Sequence, residues 1–579
     1  MRRRVFILGG LLSFCSYFTG FSQRIELSPI LIERIRYLTI FLEEMKSNKL
    51  EGVPFSYCEK VVDYFSEIEL RERNLFGVQQ DLSIRGANFE NNFVYLNGAK
   101  VNDPQTGHFS LQIPLTEFDL EKVTIDGSSL QVAFHLKKPQ REGIQLKSSW
   151  GQHSLWEEAF SINFPLKEIK NRISFEHKIS SGSKQDTDFK LHNLVYYALL
   201  NEEENNWEFL FGWQKKDFGA DSFYSSFYPH QEEHTDQKFF QLKTEMGIHS
   251  FSFSNNLYFR HHRDKFILNR HDPSFYTNFH TTYVWGDEFL FKIFSGLDFL
   301  TGIFKEKITS TRLGRHSRIK KELTFRFTPQ LRSNLLSQLD LSLLHCQGYG
   351  LNHSFSSRWE YSIGDASKIG LSVHRLLRYP SFTELYYFSP VNRGNTSLEE
   401  EKIYSLEFSF SHKVEKNIFT KLSIFFRKHK DAIDWAKNNL SSPWEAKNLG
   451  KLEVEGGGFT LKINPWGEKL RSIRFSYTYL HSPKASYSYS KYVFDSLQHK
   501  FVSQWKLSLF GWNLNLLGKF NKPYRRNSYV LWDLKLEKNF FSNLKFFIEG
   551  TNIFNQNYYE MVEIKGNSRW YKIGVKVNF

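Results

Sequence analysis

Between residues 102 and 108, Asn102, Asp103, Gln105, Thr106 and His108 crowd amide, carboxylate, hydroxyl and imidazole groups around Pro104 and Gly107. Side chains of these types donate and accept hydrogen bonds, which suits recognition of a polar ligand. A plain loop stabilised by Asp103 and Pro104 is the other reading of the same residues. Covalent catalysis has no matching set: the chain contains no GxSxG elbow, no HExxH pair and no P-loop. His261 and His262 are adjacent, and neighbouring strand residues point to opposite faces, so the two cannot share one ion. Neither a catalytic group, nor a metal, nor a cofactor is expected.

The elements that position this loop are short. Leu82 and Ile84 alternate with Ser83 and Arg85 in a strand pattern that stops at Gly86. A second apolar run, Phe93 to Leu96, is closed by Asn97-Gly98, a strong hairpin signal. Upstream, Ser56 with Glu59 forms a capping-box pattern that predicts a helix from about Tyr57 to Phe65. Tyr37 to Leu50 stays open between a short helix and a strand. Arg71, Glu72 and Arg73 read either as solvated surface or as charges paired with a surrounding wall. Leu120 to Asp126 reads as a further strand and is followed, after a very short link, by Val132 to Pro139.

Composition sets the class. Aromatic residues make up 17% of the 579 residues, with 57 Phe and 28 Tyr, yet mean hydropathy is −0.46. A closed barrel reconciles the two, because one face of each strand meets lipid and the other water. After residue 23 no apolar run of helical span length occurs. Beyond about residue 141 the pattern alternates: Tyr404, Leu406, Phe408 and Phe410 with Ser405, Glu407, Ser409 and Ser411, then a second such run from Ile418 to Arg427. The period returns at Ile473 to Tyr479, at Val530 to Leu536, and from Tyr571 to the terminal Phe579. About 22 strands of roughly 11 residues would use about 240 of the last 440 or so, leaving modest loops of roughly 14 residues. The formal charge of +14 is spread along the chain without a nucleic-acid motif. It fits a watery lumen or anionic headgroups better than nucleic acid.

Met1 to Ser22 reads as a secretory signal: Arg2 to Arg4 form the charged end, Val5 to Phe21 is largely apolar, and Gly20 and Ser22 are small residues before Gln23. A retained anchor is the alternative. Cleavage would leave Cys58 and Cys346, expected as unpaired buried thiols.

Taken in order, Ile84-Arg85-Gly86, Asn97-Gly98 and the loop 102–108 resemble the plug of TonB-dependent outer-membrane receptors, and within them a subgroup close to vitamin B12 (cobalamin) receptors. The resemblance continues at His262 to Phe266, at Arg378 to Tyr386 with Gly394-Asn395, and at Asn552 to Asn555 with Tyr558. It implies an all-β membrane protein, a transmembrane antiparallel barrel of about 22 strands around a small N-terminal α+β plug. The expected divisions are a signal peptide 1–22, a TonB-box segment 23–36, a plug 37–140 and a barrel 141–579. Ile25, Glu26, Leu27, Ser28, Pro29, Ile30, Leu31 and Ile32 would form the TonB box, which pairs with TonB by β-augmentation; an ordinary edge strand is the competing reading. Asn102, Asp103, Gln105, Thr106, Gly107 and His108 would touch a small-molecule ligand, and Phe579 would be the signal read by the barrel-assembly machinery.

The resemblance further implies a monomer in the outer membrane of a Gram-negative type bacterium, embedded in lipid and importing a scarce large ligand, cobalamin-like first and an iron chelate second. Energy would come from TonB and its inner-membrane complex. The aspartate-rich calcium cluster of some cobalamin receptors is not visible. The link Gly127 to Leu130 is about nine residues shorter than the family pattern, so a passive or structural barrel with a degenerate plug is kept as the alternative. A signal transducer would need an additional folded domain before residue 25.

Overall fold

The computed structural model describes residues 39–579 except 47–53, 55–56, 202–204, 224–227, 249–250, 295, 330–331, 390, 416, 440, 465–468, 483–488, 492–495 and 562–563. The expected signal peptide and TonB box therefore lie outside the described residues.

Alternation in the second part of the chain does what the sequence predicts. In the strand Glu401–Val414, Tyr404, Leu406 and Phe408 are exposed while Ser405, Glu407 and Ser409 are buried. Its neighbour Ile418–Lys430 places Leu422, Ile424 and Phe426 on the same outer face, paired Leu406↔Phe426 and Phe408↔Ile424. Apolar residues outward and polar residues inward is the reverse of a soluble sheet and is the arrangement a bilayer demands. Twenty-two antiparallel strands repeat it and close into a barrel. The last strand, Trp570–Asn578, pairs with the first, Gly143–Gly151, through Ile573↔Trp150 and Val577↔Leu146. Closure leaves no unpaired sheet edge in lipid. No helix among the described residues is long and apolar enough to cross a membrane.

The two ends differ. Where Gly143 and Phe579 lie, strands are joined tightly, as from Leu166 to Ile169 and from Leu509 to Trp512. The opposite end carries the long connections 379–400, 431–450 and 552–569.

The N-terminal part fills the barrel. Its strands are β1 (Leu42–Lys46), β2 (Ile68–Glu72), β3 (Gln80–Ile84), β4 (Phe93–Leu96), β5 (Ala99–Lys100), β6 (Leu120–Asp126) and β7 (Gln131–Leu136). Five of them form a sheet in the order β1-β6-β7-β4-β5, with β4 and β7 parallel, while β2 and β3 pair separately. Asn97 (φ +46°) and Gly98 (φ +92°) are both left-handed, as the tightest hairpin turn requires and as Asn and Gly best tolerate. Val94, Leu96, Val123, Ile125, Val132 and Phe134 are wholly buried in one core with Val62 and Phe65. Each such side chain contributes about 1.5–3 kcal/mol by leaving water.

Polar contacts join plug to wall, since the inner wall is polar. Arg85 bonds Glu67 and, across to the barrel, Glu407, both at 2.8 Å, and lies 4.2 Å from the Phe425 ring centroid. Its carbonyl accepts from Arg427 at 2.8 Å. Asp119 takes Arg172 at 3.0 Å, Asp126 takes Arg358 at 2.6 Å, and Asp63 takes Lys500 and Lys519. Near the tight-turn end Glu43 on β1 meets Arg474 at 2.8 Å, Lys421 at 3.6 Å and Lys462 at 3.9 Å. Burial works to raise the Glu43 carboxyl, but Lys462, Lys421 and Arg474 outweigh it and bring it down to about 2.

Several local expectations change. The expected helix at 57–65 is a 3-10 helix, Cys58–Tyr64, and it starts after Tyr57 with no side-chain cap; Ser56 lies outside the described residues. Its seven residues are all buried, so packing and not capping holds it. The open stretch 37–50 contains β1. Arg71 and Arg73 are buried and paired within the plug, with Glu69 and Asp81, each at 2.9 Å. The short link after β6 is an intact turn: Asp126 accepts from Ser128 N at 3.0 Å and Ser128 Oγ at 2.6 Å, and Leu130 takes a positive φ of 57°. A Cβ at Gly127 would fall 2.3 Å from Arg85 Nε and 2.4 Å from Glu67 Oε2, so a larger residue there would displace the Arg85–Glu67 pair. Cys58 and Cys346 are free and buried.

Candidate functional site

The loop after β5 rises toward the end with long connections and is braced from several sides. Asn102 Nδ2 donates to Asn92 O at 2.7 Å, and its Oδ1 accepts from Val94 N at 3.0 Å. Asp103 Oδ1 accepts from Gln105 N at 2.8 Å, while Oδ2 meets the Arg260 guanidinium, Thr282 Oγ1 at 3.2 Å and His262 Nδ1 at 3.3 Å. Burial works to raise the Asp103 carboxyl, but Arg260 and His262 hold it well below the usual carboxylate range. Thr106 Oγ1 donates to Glu90 at 3.1 Å and accepts from His108 N at 3.5 Å. Gly107 packs on the Phe89 carbonyl, 2.7 Å from where a Cβ would stand. His108 stacks on Phe89 with centroids 4.2 Å apart and bonds Asp81 at 2.6 Å.

This loop meets the segment that follows Arg378. Phe382 N donates to Pro104 O at 2.8 Å and Thr383 N to Gln105 O at 3.0 Å. Phe382–Tyr386 is a short helix with a full capping box made by Ser381 and Glu384. Arg378 ties it to the wall through Glu384 at 2.8 Å and Glu401 at 3.0 Å. Three stretches far apart in sequence, 102–108, 260–264 and 378–386, thus form one structural unit. His261 and His262 part as strand geometry requires: His262 turns inward to Gln112 at 2.9 Å, and His261 stacks on Tyr283 on the outer face.

Beside the loop lies a cavity of about 170 Å³ between plug and wall. Asn102, Asp103, Pro104 and Gly107 line it from the plug, and Arg318, Arg378 and Tyr379 line it from the barrel. Gln105, Thr106 and His108 are not among its lining residues; they serve the loop's internal bracing and its docking on Phe382–Tyr386. Glu90 also borders the cavity. Burial, and then the Glu384 carboxylate, push the Glu90 carboxyl up from its ordinary range. A cavity edged by guanidinium, carboxylate, phenol and amide groups can orient a polar or anionic ligand by hydrogen bonds and charge.

A second apex was not singled out by the sequence. Residues 74–78 thread to the rim, where Phe76 packs on Phe189 and Trp570 with centroids 5.6 and 5.4 Å apart. Asn74 Nδ2 donates to Thr187 O at 2.7 Å, and Lys216 reaches Gly77 O at 2.5 Å. Leu75, Phe76 and Val78 were legible only as apolar residues near a glycine.

Fold and site together define a plugged transmembrane β-barrel whose plug apex is gripped by a loop at the end with long connections. No family model matches the sequence, and no curated protein matches it. Solved structures do. The siderophore receptor PirA from Pseudomonas aeruginosa is similar at a TM-score of 0.72 and 14% identity, covering 93% of this chain and 99% of that one. The ferric enterobactin receptor PfeA, in complex with BCV-L6, gives 0.77 at 13% identity over 93% and 99%; PfeA is from Pseudomonas aeruginosa. The copper transporter OprC gives 0.76 at 12% identity over 93% and 98%. At these identities the likeness concerns the fold.

Proposed function

We propose that this protein is an active importer of the outer membrane, driven by TonB, that receives a scarce polar ligand at the plug apex. The observation that carries the reading is the docking of 102–108 onto Phe382–Tyr386, with buried ion pairs from the plug to wall strands around the barrel. Removing one partner of a buried pair typically costs about 3–5 kcal/mol, and several such pairs hold the plug in place, so a coupled energy source that loosens them is part of the reading. The segment 25–32 is the proposed handle. Tension on it would reach β1 first, the edge strand that β6 and the Glu43 cations hold in place. TonB with its inner-membrane complex is the proposed partner, the barrel-assembly machinery the proposed inserter, and a monomer the proposed state.

For the ligand, the sequence resemblance favours a corrinoid, while two of the solved structures above are receptors for siderophore-type ligands and the third a copper transporter. Labelled cobalamin and a labelled ferric siderophore are therefore both the probes. Cells carrying the parent, Leu27→Ala or Ile30→Pro are compared for surface binding and for uptake, with and without a protonophore. Proline removes a strand N–H and fixes its own φ, so Ile30→Pro should abolish uptake and spare binding, while Leu27→Ala does little. Uptake that ignores both the protonophore and Ile30→Pro supports the passive barrel instead.

A further inference from the structure

At the outer end, three connections that are distant in sequence bring Asp186, His230 and His271 together. Each offers one ligand atom, and these atoms all lie within 4.8 Å of one another. Asp186 Oδ2 is 2.5 Å from His230 Nδ1 and 3.8 Å from His271 Nε2, and the two imidazole centroids are 4.8 Å apart. We propose that Asp186, His230 and His271 form a binding site for one borderline divalent cation of the zinc class, facing the external solvent.

Four features support a built site. First, the loops are fixed to each other by their backbones: Asp221 N donates to Asp186 O at 3.2 Å, Arg270 N to His230 O at 2.7 Å, and Gly219 N to Asp188 O at 2.9 Å. Second, Arg270 bonds the far oxygen, Asp186 Oδ1, at 3.3 Å, which leaves Oδ2 turned to the imidazoles; outer partners of this kind orient metal ligands. Third, charge favours a cation. The single Arg270 guanidinium faces Asp186, Asp188 at 2.5 Å and Glu232 at 3.7 Å, so the neighbourhood is net negative. Fourth, the donor set is selective. Two imidazoles and one carboxylate suit zinc, copper or nickel, whereas calcium takes six to eight oxygen ligands.

Tetrahedral zinc with ligands at about 2.0–2.1 Å separates them by about 3.4 Å. In this structure Asp186 Oδ2 and His230 Nδ1 share a hydrogen bond at 2.5 Å; a cation would take the place of the shared proton and part the two atoms, and the His271 side chain, 61% exposed, would swing in to complete the set. Three protein ligands leave a fourth position open to water or to an incoming donor group. Bound metal would tie the stretches 181–188, 228–231 and 268–276 into one rim.

The full-length protein in detergent, stripped with chelator, is titrated with Co²⁺ followed by its visible absorption, then with Zn²⁺ in competition. One Co²⁺ per chain, displaced by Zn²⁺, is expected. His230→Ala, His271→Ala and Asp186→Asn should each weaken binding at least about tenfold, and His234→Ala, at a neighbouring imidazole outside the set, should not. Heat-modifiable migration of each variant on gels shows that its barrel is folded, and the exposed His271 offers a substitution that folding does not need. Absence of stoichiometric Co²⁺ binding, binding that survives the His230→Ala/His271→Ala double variant, or binding of Ca²⁺ in place of Zn²⁺ would each overturn the proposal.

Discussion

Single residues here act as joints more than as isolated contacts. Arg85 satisfies Glu67 in the plug and Glu407 in the wall at once, so the expected plug motif is also the bolt between two bodies. His108 works similarly within the plug, joining the apical loop to Asp81, which Arg73 holds at 2.9 Å from the other side. Burial works to raise the Asp81 carboxyl, yet His108 and Arg73 hold it well below its ordinary range. Replacing Gln105 and His108 together by Ala should weaken ligand binding about tenfold or more through loss of loop rigidity, equivalent to about 1.4 kcal/mol, while the barrel still assembles. Equilibrium binding of cobalamin and of a ferric siderophore to purified protein checks this; unchanged affinity for whichever one the parent binds would count against the loop as the ligand site.

Two contacts between elements carry opposite pH signatures. β1 is clasped by a carboxylate held down at about 2 against an ordinary 4.5. That clasp is fully present above about pH 4.5 and is lost as pH falls toward 2. The apical loop and the helix Phe382–Tyr386 meet over Glu90, pushed up from its ordinary 4.5. Its folded form binds a proton that the unfolded form has released above pH 4.5, so this contact weakens as pH rises through the raised folded value. Hydrogen exchange at 103–109, corrected for the intrinsic rate, should accelerate several-fold relative to the barrel strands between pH 6 and pH 9. Glu90→Gln should flatten the profile, and a variant with the parent's profile would assign the effect elsewhere.

For the whole molecule, closure is the decisive event. Phe579 N donates to Ile144 O at 2.8 Å, and Phe579 O accepts from Ile144 N at 3.0 Å, with the ring outward and 70% exposed. The terminal residue thus sits on the lipid-facing register at the seam. Deleting it should lower the amount of protein in the outer membrane several-fold, measured by blotting of membrane fractions. Protein that does insert should bind ligand as the parent does, since the apex lies at the other end. Full insertion of the truncated chain would remove Phe579 from any role in assembly.

The chain by itself determined whatever depends on neighbours in sequence. The period of two in Glu401–Val414 and Ile418–Lys430 fixed which face meets lipid, because successive strand side chains must alternate. Asn97-Gly98 fixed its hairpin, because few other pairs accept two positive φ values. His261 and His262 were correctly parted by the same alternation. The 3-10 form of Cys58–Tyr64 was not legible, since burial of all seven residues overrides local capping. Nor was the pairing of Arg71 and Arg73, because solvated and buried charges look alike until their partners are known. Arg260 reaching Asp103, Arg378 anchoring the helix over Pro104, and Asp186 meeting His230 and His271 all join residues whose separation in the chain carries no signal. Only the tertiary structure decided those contacts, because the order of strands in the barrel sets which rim loops are neighbours and which wall strands face the plug.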